Sequence, residues 1–100
     1  MSPTLLEHLK NHRRSQILTI AAKHGAYNVR IFGSVARNEA HENSDIDFLV
    51  DYDPNQRSPW FPMGLIHDLE MLLSRKIDVA TPAMLKERIK EQVLKEAIPL

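Results

Sequence analysis

Three aspartates and one glycine-serine pair in this 100-residue chain have the residue types and spacing that phosphate chemistry needs. Asp45-Ile46-Asp47 puts carboxylates at i and i+2. In a strand these project from one face ~6.5 Å apart, while Ile46 and Phe48 enter the core. Such oxygens suit Mg²⁺, which takes few protein carboxylates and completes its octahedron with water and substrate phosphate. Two ions ~3.5–4 Å apart would stabilise both the attacking and the leaving oxygen of an in-line phosphoryl displacement, and a third carboxylate is then expected nearby. Asp78, between Ile77 and Val79, is the candidate. It interrupts an apolar run at a position expected to be buried, where a lone carboxylate is costly without a cation or hydrogen bonds.

Ten residues separate Asp45 from the preceding Gly33-Ser34. Gly33 permits close approach of backbone to ligand, and Ser34 opens a helical turn whose free amides and hydroxyl can hold a polyphosphate. Arg37 lies one turn further on, placed either to neutralise a leaving pyrophosphate or to orient the loop. Singly, a Gly-Ser or an Asp-x-Asp is an ordinary turn or cap; their combination on the right elements carries the reading.

Those elements follow from the hydrophobic pattern. Ser2-Pro3 can start a helix whose apolar side is Leu6, Leu9, Ile17, Ile20 and Ala21, ended by Gly25. Val29–Phe32 reads as a buried strand running into the Gly33 turn, Val35-Ala36-Arg37 as a short helix, and Asp45–Tyr52 as a second strand. Residues 53–62 form a proline-rich loop, after which Leu65, Ile66, Leu69, Leu72 and Leu73 mark a helix. Lys76–Ala80 predicts a third strand. Thr81-Pro82 caps a last helix with Leu85, Ile89, Val93 and Ala97 on one side, stopped by Pro99. The expected class is α/β (α+β), a small mixed sheet of about three strands flanked by helices.

Thirteen basic residues balance thirteen acidic ones, so no global field draws the chain to nucleic acid, and direct nucleic-acid binding is not expected. The chain has no cysteine, hence no disulfide or thiolate chemistry, and no apolar run long enough for a membrane span. A cytoplasmic protein is the simplest expectation. Lys10, His12, Arg13 and Arg14 read as a solvated face, and His8 with His12 as surface residues for want of a third ligand. Trp60-Phe61-Pro62 fits either a partner contact or a loop folded onto the core. Lys76 could reach a phosphate or simply decorate a helix end with Arg75.

Ile31-Phe32-Gly33-Ser34-Val35-Ala36-Arg37 with Ser44-Asp45-Ile46-Asp47-Phe48-Leu49-Val50 resembles the signature of the DNA polymerase β-like nucleotidyltransferases, most closely the minimal nucleotidyltransferases. Ile77-Asp78-Val79 is similar to that group's third-carboxylate strand. The resemblance covers nearly the whole chain, implying a single domain over 1–100 with a polymerase β-like core. Asn38 departs from the glycine many members have, but Asn tolerates left-handed backbone.

The resemblance implies Asp45, Asp47 and Asp78 as catalytic metal ligands for two Mg²⁺ ions, with Asp78 also assisting deprotonation of the acceptor. It implies Gly33, Ser34, Arg37 and Ser44 as contacts to an ATP substrate. Members of this look are commonly antitoxins paired with a HEPN-domain ribonuclease toxin, some of which inactivate it by transferring AMP to a tyrosine near its active site, and a chain this short favours an acceptor that brings its own docking surface. An antitoxin acting by stoichiometric binding, or a transferase acting on a small molecule or RNA end, are the competing expectations.

Overall fold

The computed structural model describes residues 4–56 and 59–100. Helix α1 (Leu5–His8) passes through a π turn (Leu9–Arg13) into α2 (Arg14–Lys23). Strand β1 (Ala26–Phe32), the single-turn α3 (Gly33–Ala36), β2 (Ile46–Tyr52), α4 (Met63–Leu73) and β3 (Ile77–Ala80) follow. A 3₁₀ turn (Pro82–Met84), α5 (Glu87–Glu96) and the two-residue β4 (Ile98–Pro99) complete the order.

The sheet runs β3-β2-β1-β4, with β1 antiparallel to both β2 and β4, and β2 parallel to β3. One face bears Ile31, Ile46, Phe48, Val50, Ile77 and Val79, all buried together with Leu9, Ile17 and Ala21 from the N-terminal helices and Leu65 and Leu69 from α4. Strand alternation then sends Asp47 and Asp78 to the opposite face. The mixed α/β class expected from the hydrophobic pattern is the class observed, with a fourth strand added.

Several boundaries differ from expectation for local reasons. Ser2-Pro3 lies outside the described residues; within them Thr4 caps α1, its hydroxyl accepting the Glu7 amide at 3.1 Å. The first helix is interrupted by the π turn, which still brings Leu9, Ile17 and Ala21 to one side. Strand β1 begins three residues early, at Ala26, across an irregularity where Asn28 takes φ 49°. Thr81-Pro82 caps only the 3₁₀ turn, because Leu85 and Lys86 are extended and α5 starts at Glu87. Pro99, expected as a helix stop, lies in the edge strand β4, where its missing N–H costs no ladder bond.

The aromatic loop divides. Trp60 is 76% exposed, whereas Phe61 packs on the core and against Tyr52 with ring centroids 5.2 Å apart. In the basic run Lys10, His12 and Arg14 are exposed, and the His8 and His12 rings lie 5.4 Å apart.

Candidate active site

Sheet register assembles the acidic residues. Phe32 pairs with Asp47 across β1 and β2, and Asp47 pairs with Asp78 across β2 and β3, so the three occupy one cross-strand row. Paired residues on neighbouring strands share a face at roughly 4.8 Å. Strand β3 is the sheet edge beyond β2, and Asp78 is exposed there. This corrects the burial expected for it. Ile77 and Val79 take the covered face and, by alternation, Asp78 takes the open one, so its charge stays in water.

Asp45 immediately precedes β2, two residues from Asp47. Its loop is closed by two bonds between His41 and Ser44: the Ser44 amide donates to the His41 carbonyl at 2.9 Å, and the His41 amide to Ser44 Oγ at 3.0 Å. Arg75 clamps the same loop, Nη2 donating to the carbonyls of His41 and Ser44 at 2.8 Å each. Ser44, expected as a nucleotide contact, thus has its hydroxyl engaged within the loop that presents Asp45.

The carboxylates feel one another. Asp47 is pushed up from 3.8 to about 6, first by burial, then by the charges of Asp78 and Asp45, against the opposing pull of Arg37. Crowded like charges in a half-buried place are what a cation would relieve. Among the described residues no three His, Cys, Asp or Glu side chains are already gathered around one point. A hard divalent ion that keeps water and substrate ligands does not need such a cage, and an all-oxygen donor set suits it.

Gly33 closes the row on the β1 side. Its φ of +73° and its closeness to Asp47 both require glycine, since a Cβ would run into the Asp47 carboxylate. Ser34 and Val35 follow in the first turn of α3, where amides lack intrahelical acceptors. Asn38 takes φ 61°, the left-handed conformation anticipated for it, and its amide donates to the Val35 carbonyl at 3.1 Å.

Arg37 is held by two acids: Nε donates to Glu39 at 2.6 Å and Nη1 to Glu96 at 3.1 Å. These bonds raise its already high pKa, Glu39 contributing most. Glu96 Oε2 also accepts the Gly33 amide at 2.8 Å.

Glu96 and Arg75 were not anticipated. For Glu96 a signal existed: Ile89, Val93 and Glu96 follow the i, i+4, i+7 pattern, so a charge lies on the inward stripe of α5. Arg75 has no such mark, because its partners are backbone carbonyls of a distant loop. Lys76 is exposed, and its carbonyl accepts the Ile46 amide at 3.0 Å, joining β3 to β2 beside Asp45.

The family model described as "Nucleotidyltransferase domain" matches residues 14–100. Among curated proteins, one from Methanocaldococcus jannaschii with the name "Putative protein adenylyltransferase" is 38% identical over 88 residues, covering 88% of this chain and 94% of that one. "Protein adenylyltransferase MntA" of Thermococcus cleftensis is 31% identical, covering 98% of each chain. The solved "Structure of putative minimal nucleotidyltransferase" superposes with a TM-score of 0.81 at 46% identity, covering 95% of each chain. "Crystal structure of the toxin-antitoxin with AMP-PNP" superposes with a TM-score of 0.65 at 22% identity, covering 85% of this chain and 69% of that one, a likeness of fold.

Proposed function

The chain belongs to the nucleotidyltransferase domain family, and from that premise we propose that it transfers AMP from ATP to a tyrosine hydroxyl of a cognate HEPN ribonuclease toxin, neutralising it as an antitoxin. The observation that carries the reading is the row Phe32, Asp47, Asp78, with Asp45 beside it and the Gly33 turn at its end. Relatives that match over most of their length are named protein adenylyltransferases, which supports a protein acceptor. The AMP-PNP toxin–antitoxin neighbour supports an adenosine triphosphate donor and a toxin partner.

In the proposed reaction the tyrosine oxygen attacks the α-phosphorus, the bond from that phosphorus to the bridging oxygen breaks, and pyrophosphate leaves. Asp78, exposed on the edge strand, faces an acceptor arriving from outside and takes the hydroxyl proton on a carboxylate oxygen. Asp45 and Asp47 would hold two Mg²⁺ ions with Asp78. When bound, these supply charge stabilisation at the attacking and leaving oxygens. The Gly33 turn, Ser34 and Arg37 orient the polyphosphate, so that the chain's contribution is positional and electrostatic. Ser44 and Arg75 act one step removed, by fixing the loop that presents Asp45.

An edge-strand general base also bears on the acceptor. A small molecule would need walls to hold it, whereas a folded partner can dock along the sheet edge and the exposed Trp60. The test is intact mass spectrometry of the product of the adjacent reading frame, incubated with the protein, ATP and Mg²⁺. Gain of AMP mass on a tyrosine is expected; no gain with any NTP overturns the proposal. Asp45→Asn combined with Asp47→Asn separates catalysis from occlusion, because a stoichiometric antitoxin would still neutralise its toxin.

A further inference from the structure

We propose that Glu96 is an internal competitor for the terminal phosphates of the nucleotide, making α5 a latch that ATP displaces from the Gly33 turn and Arg37. The inference rests on the ATP-binding reading above. Its basis is what the Glu96 carboxylate already occupies. Oε2 accepts the Gly33 amide at 2.8 Å, and both oxygens lie within 3.2 Å of Arg37 Nη1. A backbone amide at a glycine turn plus a guanidinium is the donor pair a phosphate oxygen would take. The Glu96 side chain is only 17% exposed, so it is seated in this position. One N–H cannot serve two anions at full strength, and a triphosphate brought beside Glu96 would add like charge next to Asp47.

The helix that carries Glu96 is lightly held. Val93 is its one buried side chain, and Ile89 and Leu94 are 45% and 43% exposed. Lys86 and Ala97, at its two ends, have extended backbones with ψ of 142° and 133°, which suits hinge positions. A cavity of about 250 Å³ between α5, Phe32 and Gly33 leaves room beside the carboxylate. The β4 pairing of Ile98 with Ile31 anchors the chain beyond the hinge, so the helix can swing without losing its sheet attachment. After transfer, return of Glu96 to the Gly33 amide would help expel pyrophosphate. AMP, lacking β- and γ-phosphates, would leave the latch closed.

The test compares the wild-type protein with Glu96→Gln by titration calorimetry, using ATP or AMP with Mg²⁺ and no acceptor. Loss of the ion pair should tighten ATP binding about 3- to 10-fold, the scale of one such contact, and leave AMP binding within about 2-fold. Amide hydrogen exchange in residues 87–97 of the wild-type protein should rise with ATP but not with AMP, a readout that does not depend on the variant folding. ATP bound by the wild type with no gain in Glu96→Gln, or with α5 exchange unchanged or lowered, overturns the latch and leaves the transferase reading standing. Absence of ATP binding by either protein overturns both.

Discussion

Replacing Asp47 with Asn should make the metal-free domain more stable, although the same change should abolish transfer. Asp47 stands at about 6 against an ordinary 3.8, so its charged form is disfavoured in the folded state. The gap of roughly two pH units corresponds to a ceiling of about 3 kcal/mol. Asp47 is only partly buried, and solvent screening reduces this to about 1.5 kcal/mol. The penalty is fully present above pH 6 and is relieved as pH falls toward 3.8, because the folded state then holds a proton that the unfolded state has released. At pH 7.5 Asp47→Asn should therefore raise Tm by about 5–10 °C, and at pH 4.5 by less than half as much. Thermal melts followed by circular dichroism, without divalent ions and at matched ionic strength, measure both. Adding Mg²⁺ should raise the wild-type Tm while leaving Asp47→Asn nearly unmoved, since the cation relieves the same repulsion that the mutation removes. A variant less stable than wild type at pH 7.5, or a gain of equal size at both pH values, would refute the partly buried placement of Asp47 among like charges.

Three further outcomes follow from the same geometry. Gly33→Ala should lose about 1–2 kcal/mol from the left-handed backbone alone, and more if Asp47 cannot yield, with transfer lost in parallel; denaturant melts and the mass assay report the two effects. Asp78→Asn removes an exposed charge, so stability should stay within about 0.5 kcal/mol while the transfer rate falls by about 100-fold or more, a split that single-turnover kinetics and a melt would show together. Arg75→Ala frees the loop over residues 41–44 by removing two 2.8 Å bonds to carbonyls; it should cost about 1–3 kcal/mol and raise KM for ATP more than it lowers kcat.

Periodicity made some of this molecule readable in advance and left other parts out of reach. The alternation Ile46, Phe48, Val50 against Asp47 tells which face of β2 meets the core and sends Asp47 to the other, where Leu49 is nevertheless buried as well. The same rule applied to Ile77-Asp78-Val79 gives the open face for Asp78, and the expectation of burial failed because it weighed the apolar neighbours rather than the alternation. The pairing of Asp47 with Asp78 is a matter of register, which local pattern does not specify. Strand β4 escaped notice for a related reason: two residues ending in Pro99 carry no strand signal of their own, and only the free edge of β1 makes them one.

Glu96 marks the limit more sharply, since its position on the inward stripe of α5 was visible and its partner was not. An amphipathic helix with a carboxylate on its apolar side needs a donor somewhere, because burial without one is costly. The donors here are the Gly33 amide and Arg37, 63 and 59 residues away in the chain. They are the groups proposed above as contacts to the polyphosphate. The donors at the turn and the carboxylate on the inward stripe of α5 satisfy each other. Of Gly33, Ser34 and Arg37, the expected contacts at that turn, Gly33 and Arg37 therefore hold Glu96 in this structure. On the latch proposed above, the strength of that internal contact would set how much of ATP's binding free energy goes into opening the site rather than into affinity.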